Sequence, residues 1–436
     1  MSASRTIRVE YLTRVEGEGA LTLQFDGERP VRATLDIFEP PRYFEALLIG
    51  RHQSEPPDIT ARICGICPVA YQMSACRAVE SISGVTITPE IMAARRLLYA
   101  GEWIESHALH AFMLHAPDFL GYPDAITMAK DHPEQVRAAL RIKKAGNALV
   151  TIVGGREIHP VNIRIGGFYS APRKDALNGL LPDLEAALDE TEDALGWAAG
   201  LGYPDFERDY TFVSLRPEAG YPVIEGRLVS NQGLDIAVEE YPEHFVELQQ
   251  EHSTALHSRL KDGSPYLTGP LARFNLNYDR LTPRALAAAE RIGLRPPCNN
   301  PFKMLPVRLI ETIYALEEAI SLIRSYREPD PAWVSVPDRA GTGHGATEAP
   351  RGLLYHRYRV GDDGLIEEAR IVPPTSQNQG SIEGDLLDFA PRIAALPDEA
   401  ASLLAERVVR NHDPCISCAT HFLKLRIAGR EGASTS

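Results

Sequence analysis

The chain has 436 residues, 44% hydrophobic and 24% charged, enough apolar material for one large enzyme body or two to three domains of ~150 residues. Its 45 basic against 59 acidic residues leave a net charge of −14, which speaks against a nucleic-acid-binding protein or a basic membrane-surface face. No run approaches the ~18 apolar residues of a bilayer span, and Met1 to Thr13 lacks the apolar core of a secretory signal. Six cysteines in a chain this long are no disulfide framework; the expected setting is reducing, with thiols free for metal or redox chemistry.

Residues 6–38 alternate apolar and polar, with Leu21, Leu23 and Phe25 followed by Val31, Ala33, Leu35 and Ile37. The Asp26-Gly27-Glu28-Arg29-Pro30 turn between the two runs predicts a β-hairpin. Helical periodicity follows over about 42–50 and 68–83, from Pro89 towards Pro117, and over 133–152 and 174–197. Residues 205–275 return to short strand-like pieces broken by Gly and Pro. An amphipathic helix is expected over 305–326, where Leu309, Ile313, Leu316, Ile320 and Ile323 recur at steps of three and four. Strand and loop fill 332–374, and a last helix covers 390–410.

Four of the six cysteines form two pairs, Cys64-Gly65-Ile66-Cys67 near the start and Cys415-Ile416-Ser417-Cys418 near the end. A Cys-x-x-Cys turn points both sulfurs to one side at a spacing that suits a soft metal ion, so two turns make a four-thiolate site. Structural zinc or two separate redox motifs are the plainer explanations. Structural zinc sites draw their pairs from a short stretch of chain, however, and a site joining opposite ends of a large chain favours a functional metal. Cys76 and Cys298 lack such partners and are expected to be buried thiols.

The flanks of the two pairs closely resemble the large subunit of the nickel–iron hydrogenases. The resemblance runs through Thr13-Arg14-Val15-Glu16-Gly17, Arg62-Ile63-Cys64-Gly65-Ile66-Cys67, Glu348-Ala349-Pro350-Arg351-Gly352, Pro374-Thr375-Ser376-Gln377-Asn378 and Asp413-Pro414-Cys415-Ile416-Ser417-Cys418-Ala419-Thr420-His421. It implies a mainly α fold with α+β parts, multihelical and built around the metal centre, with an N-terminal β-hairpin. The implied segments are 1–60 (hairpin and first helix), 61–200 (helical, first cysteine pair), 201–300 (mixed strands), 301–421 (second cysteine pair) and a tail, 422–436.

The same resemblance implies nickel held by Cys64, Cys67, Cys415 and Cys418, with Cys67 and Cys418 shared with an iron that carries carbon monoxide and cyanide. Splitting dihydrogen, a very weak acid, requires Lewis-acidic metals and a nearby base. By family match Cys415 is the first proton acceptor and Glu16 the next carrier, although a lone Glu in a Gly-flanked turn is ordinarily just solvated. Many relatives have histidine where Glu18 stands. Arg351 would set an always-charged guanidinium over the open side of the metals. Pro374 and Thr375 would contact the cyanides. Asp413 either pairs with Arg351 or caps the turn before Cys415. Glu45, the Ile371 carbonyl and His421 would ligate a magnesium-type ion; for Glu45 alone, an exposed helix residue is the default.

Tyr71 replaces a histidine common in the family, and Ser106 an acidic residue of the respiratory uptake branch. His107 and His110, three apart on a helix, suit core packing or proton relay more than a metal. These features resemble the cytoplasmic, NAD(P)-linked branch that includes the sulfhydrogenases. The alternatives are a deazaflavin- or heterodisulfide-reductase-linked enzyme and a hydrogen-sensing regulatory homologue; non-catalytic relatives, such as a quinone-site subunit of respiratory complex I, lack the four cysteines. Too few cysteines remain for iron–sulfur clusters, so the implied partners are an iron–sulfur small subunit and flavin/NAD(P) subunits. A maturation endopeptidase is implied as well, cutting after His421, unless the alternating segment Phe422 to Ile427 packs as a strand and the tail stays.

Overall fold

The computed structural model describes residues 4–420. His421 and the tail 422–436, with the readings that fall on them, lie outside the described residues.

The predicted hairpin is present and gains a strand. Ser4–Val9, Gly19–Asp26 and Arg29–Ile37 form an antiparallel sheet with Gly19–Asp26 in the middle. Leu21, Leu23, Phe25, Leu35 and Ile37 are buried on one face, as alternation requires. Val31 is not: the register skips it between Gln24↔Arg32 and Phe25↔Pro30, so as the bulged residue it turns outward, 53% exposed.

The helical body consists chiefly of Pro68–Ser83, Pro89–Ala108, Pro133–Gly154, Leu181–Ala199 and Met304–Ser325. Pro89–Ala108 continues through a π-helical turn, Leu109–His115, into Ala116–Leu120. Met304–Ser325 departs from the amphipathic expectation, because its first thirteen residues are buried on every side, Arg308 and Glu311 included. Between 205 and 275 the short strands pair in small sheets, but the stretch ends in a helix, Pro270–Asn277. The single helix expected over 390–410 is two, Pro374–Ala394 and Asp398–Asn411, parted at Leu396-Pro397 because proline disfavours helix in the residue before it.

A second antiparallel sheet, Gly341–Ala349, Gly352–Val360 and Ile366–Val372, lies against Pro68–Ser83. The approach requires glycine at 343 and 345: a Cβ would sit 2.0 Å from the Ala78 carbonyl oxygen at the first and 2.4 Å from the Ser74 carbonyl oxygen at the second. That contact brings the turn holding Arg351 beside the helix that follows Cys67.

One large core unites the helices and contains all four paired cysteines. A second core lies beneath the N-terminal sheet and includes Ile416 and Ala419. The Cys415–Cys418 turn therefore sits at the seam between the two. Among the described residues no helix is long and apolar enough to cross a membrane.

Candidate metal centre

The first cysteine turn is held by its own amides, the second by Glu16 and Thr375 from other elements. Cys64 ends a short helical turn in extended backbone, and the Ile66 and Cys67 amides donate to its sulfur at 3.3 and 3.2 Å. The helix that begins at Pro68, a residue suited to a first turn, is capped by the buried carboxylate of Glu102, which accepts from the Val69 and Ala70 amides at 2.6 and 3.1 Å. Arg42 joins the two turns, donating to the Ile63 carbonyl at 2.7 Å and to the Ser417 carbonyl.

The four sulfurs converge. Cys64 and Cys67 lie 2.9 Å apart, Cys64 and Cys415 3.7 Å, Cys67 and Cys418 3.9 Å, and one set of ligand atoms falls within 4.8 Å. All four residues are at most 4% exposed. Burial pushes the Cys415 thiol well up. It acts on Cys64 as well, but hydrogen bonds from Cys415, Cys418 and Cys67 and the charge of Arg351 outweigh it and draw Cys64 well down. Four close thiols can share one negative charge, not four, until a cation neutralises them. The soft, convergent donor set fits a thiolate-bound transition metal. Cys76 and Cys298 stand apart as buried thiols, pushed up by burial to about 12 and about 11.

Glu16 reaches this centre although it lies nearly the whole chain away. Its backbone forms a parallel bridge with Cys415, its carbonyl accepting the Ile416 amide at 2.9 Å. Its carboxylate Oε2 accepts from the Cys415 thiol at 3.0 Å and from the Ser417 amide at 3.1 Å. Arg410, buried in Asp398–Asn411, holds the loop by donating to the Thr13 carbonyl at 3.0 Å, and it shares Asp118 with Arg14. Gly17 follows with φ +88°, and a Cβ there would lie 2.7 Å from Ile416 Cβ and 2.9 Å from the Ser417 nitrogen. Two residues on, the exposed Glu18 gives its amide to the part-buried Glu39 at 3.1 Å.

Arg351 occupies the tight turn between Gly341–Ala349 and Gly352–Val360. Its Nε donates to the Asp413 carbonyl at 2.9 Å and lies 3.1 Å from Asp413 Oδ2, and Nη2 bonds Oδ1 at 3.2 Å. Nη1 is buried without a hydrogen-bond partner among the described residues. Arg273 braces the turn from behind, giving hydrogen bonds to the Ala349 and Pro350 carbonyls at 2.9 and 3.1 Å while it pairs with Glu311 and Glu348. Arg308 is buried nearby; desolvation pushes it down to about 10 against the pull of Asp413. Thr375, in the first turn of Pro374–Ala394, accepts the Cys415 amide at 2.9 Å, and Pro374 beside it is buried. Both members of the Arg351–Asp413 pair are at most 3% exposed, and removing one partner of such a pair costs about 3–5 kcal/mol. Asp413→Ala is therefore expected to lower the thermal denaturation temperature; a midpoint within a degree of the parent would contradict the pairing.

Comparison with known proteins bears directly on this centre. The family model described as nickel-dependent hydrogenase matches residues 42–140 and 303–421, which span both cysteine pairs. The alpha subunit of sulfhydrogenase 1 from Pyrococcus furiosus is 33% identical over 423 residues, covering 96% of this chain and 98% of that one. The chain belongs to the nickel-dependent hydrogenase family. The beta subunit of the NAD-reducing hydrogenase HoxS of Cupriavidus necator is 27% identical over 96% of this hydrogenase chain and 95% of its own. Among solved structures, an NAD+-reducing [NiFe]-hydrogenase in its H2-reduced state aligns over 96% of this chain and 99% of that one, with TM-score 0.86 and 27% identity. The nickel–iron–selenium hydrogenase of Desulfovibrio vulgaris Hildenborough, 21% identical, shares the fold at TM-score 0.79 over 96% of this chain and 100% of its own. The mainly helical fold with small sheets is thus that of the family's large subunits, and the chain is the catalytic, nickel-bearing subunit of a hydrogenase.

Other expected residues are placed as follows. Glu45, half-buried in Phe44–Leu48, accepts the Ile371 amide at 2.7 Å, so these two meet; the third, His421, is not described. His107 and His110 do not converge on one ion. Burial pushes His107 down to about 4, with Glu311 at 3.0 Å pulling the other way, and His110 meets the Arg410 carbonyl at 2.8 Å. Tyr71, in the helix Pro68–Ser83, is buried with its ring 5.8 Å from His356, an imidazole delivered by the strand Gly352–Val360. Sequence reasoning missed Arg42, Glu39, Glu102, Arg273 and Glu311. A buried Arg or Glu in an apolar helix is the one local signal that points to the last two.

Proposed function

We propose that this chain catalyses the reversible heterolytic cleavage of dihydrogen, with Cys415 and Glu16 moving the proton and an iron–sulfur small subunit accepting the electrons. The observation that carries the reading is the 3.0 Å hydrogen bond from the Cys415 thiol to the Glu16 carboxylate at a buried four-cysteine centre. We assign nickel to Cys64, Cys67, Cys415 and Cys418, and an iron bearing carbon monoxide and cyanide to Cys67 and Cys418. Bound there, the metals supply the Lewis acidity and electron sink that dihydrogen cleavage needs.

The protein residues do the rest. Cys415 holds the departing proton, and Glu16 takes it outward past Glu18 and Glu39. Arg351 directs its Nη1, unpartnered among the described residues, as a fixed donor without changing protonation. Thr375 accepts from Cys415 N, which leaves its hydroxyl hydrogen free to donate to a cyanide, with Pro374 packed beside it. A magnesium ion on Glu45, the Ile371 carbonyl and His421 is supported by the Arg42 amide donating to the Thr420 carbonyl at 2.8 Å, which brings the chain preceding His421 beside the Glu45 helix.

We assign the chain to a cytoplasmic enzyme whose electrons leave through flavin and NAD(P) subunits; the name of one relative, an NAD-reducing hydrogenase, supports the nicotinamide acceptor. A second reading draws on the F420-non-reducing hydrogenases of Methanococcus voltae, 30–31% identical to this chain. The purified native assembly, given hydrogen, is expected to reduce NAD+ or NADP+. Reduction of artificial dyes but of neither nucleotide would favour the second reading, and no hydrogen-dependent reduction of any acceptor would refute catalysis.

A further inference from the structure

Away from the cysteine centre, the hairpin joining Phe245–Gln249 to Leu256–Leu260 folds onto the N-terminal sheet. Thr254 anchors it: its amide donates to the Ile37 carbonyl at 2.8 Å and its hydroxyl to the Glu39 carbonyl at 2.8 Å. The fold-back carries His252, in the connecting turn, and His257, on the returning strand, against Glu383 of Pro374–Ala394. Glu383 Oε1 meets His252 Nε2 at 2.7 Å and accepts the Leu35 amide at 3.1 Å, and Oε2 lies 4.0 Å from His257 Nδ1. One potential ligand atom from each of the three residues lies within 4.8 Å of the others.

His257 is 0% exposed, and neither ring nitrogen has a hydrogen-bond partner among the described residues. Gln379 is its polar neighbour and favours the charged imidazole, but that amide also bonds Ser253 through Oε1 at 3.2 Å and the Leu256 carbonyl through Nε2 at 3.0 Å. Glu383 is thus the nearest carboxylate to both imidazoles, and His257, which gave up its hydration on burial without gaining a close hydrogen bond, has a ring nitrogen open to ligation.

We propose that His252, His257 and Glu383 form a second metal site, for a divalent ion of the zinc class, separate from the four-cysteine centre. Two imidazole nitrogens and one carboxylate oxygen are a borderline donor set that such ions accept, with bonds of about 2.0–2.2 Å and water in the fourth position. Closing to those distances takes small torsions of His252 and Glu383, both part-exposed and open to an ion from solvent. Burial pushes His257 down to about 4, which leaves it neutral and ligating near pH 7. The ion would pin the hairpin to the helix whose first turn carries Thr375. Its role is thus structural, and it stands independently of the reading of the catalytic centre.

The test uses the purified assembly, dialysed against a chelator under conditions that leave its nickel content unchanged, then titrated with Zn2+ or Co2+ alone. The parent is expected to take up one further equivalent per chain, with cobalt giving visible bands of nitrogen/oxygen coordination. His252→Ala, a change at a part-exposed position, should weaken that uptake beyond the ~10–100-fold that even outer-shell losses cost, without altering nickel content. Glu383→Gln should do the same. Equal uptake by parent and variants, or no uptake by the parent at micromolar zinc, would overturn the site.

Discussion

Glu16→Gln is expected to keep its metals and their spectroscopic signature and to lose about 10²–10⁴-fold in dihydrogen–deuteron exchange and turnover, the usual cost of removing one positioned acid–base group. The variant is close to isosteric. The backbone bridge between Glu16 and Cys415 does not involve the side chain, and the Arg410 and Asp118 clamps on the loop lie on other residues, so the fold around the centre should persist. What disappears is the proton acceptor 3.0 Å from the Cys415 sulfur. An amide oxygen still accepts the Ser417 amide, which separates the structural role of the side chain from its protonic one. Turnover within threefold of the parent would show that protons leave Cys415 by another route.

Arg351→Lys should leave metal content unchanged and lower turnover by about 10²–10³-fold, the range observed when one oriented donor at a reacting centre is removed. The charge is conserved in this change. The geometry is not: the guanidinium binds the Asp413 carbonyl through Nε and its carboxylate through Nη2, which leaves Nη1 directed by the planar fork. A lysine ammonium that bonds Asp413 has no rigid third arm to present. Unchanged turnover would mean that Arg351 serves only to neutralise Asp413.

The cysteine pairs were legible in the chain because a Cys-x-x-Cys turn is local chemistry, and the N-terminal strands because alternation is local too. Val31 escaped that pattern, since a bulge is decided by pairing rather than by period. The helix Pro374–Ala394 opens with Pro-Thr-Ser-Gln-Asn-Gln-Gly-Ser, where all but the two Gln are weak helix formers, and is held by burial and by its contacts with the N-terminal sheet. The meeting of Glu16 with Cys415 has no local trace at all. It depends on Gly17 and on the seam between two cores, and only the family likeness pointed to it. Arg42 and Glu102 follow the same rule: each acts on a cysteine turn from another element, so no window of sequence contains both partners.

The four cysteines are expected to hold nickel and iron. Metal analysis of the purified large subunit, separated from its partners, combined with infrared spectroscopy, decides this. One nickel and one iron per chain are expected, with bands from iron-bound carbon monoxide and cyanide, and both should be lost in Cys418→Ala. A chain without nickel, its four cysteines occupied by zinc and its infrared spectrum empty in that region, would contradict the account.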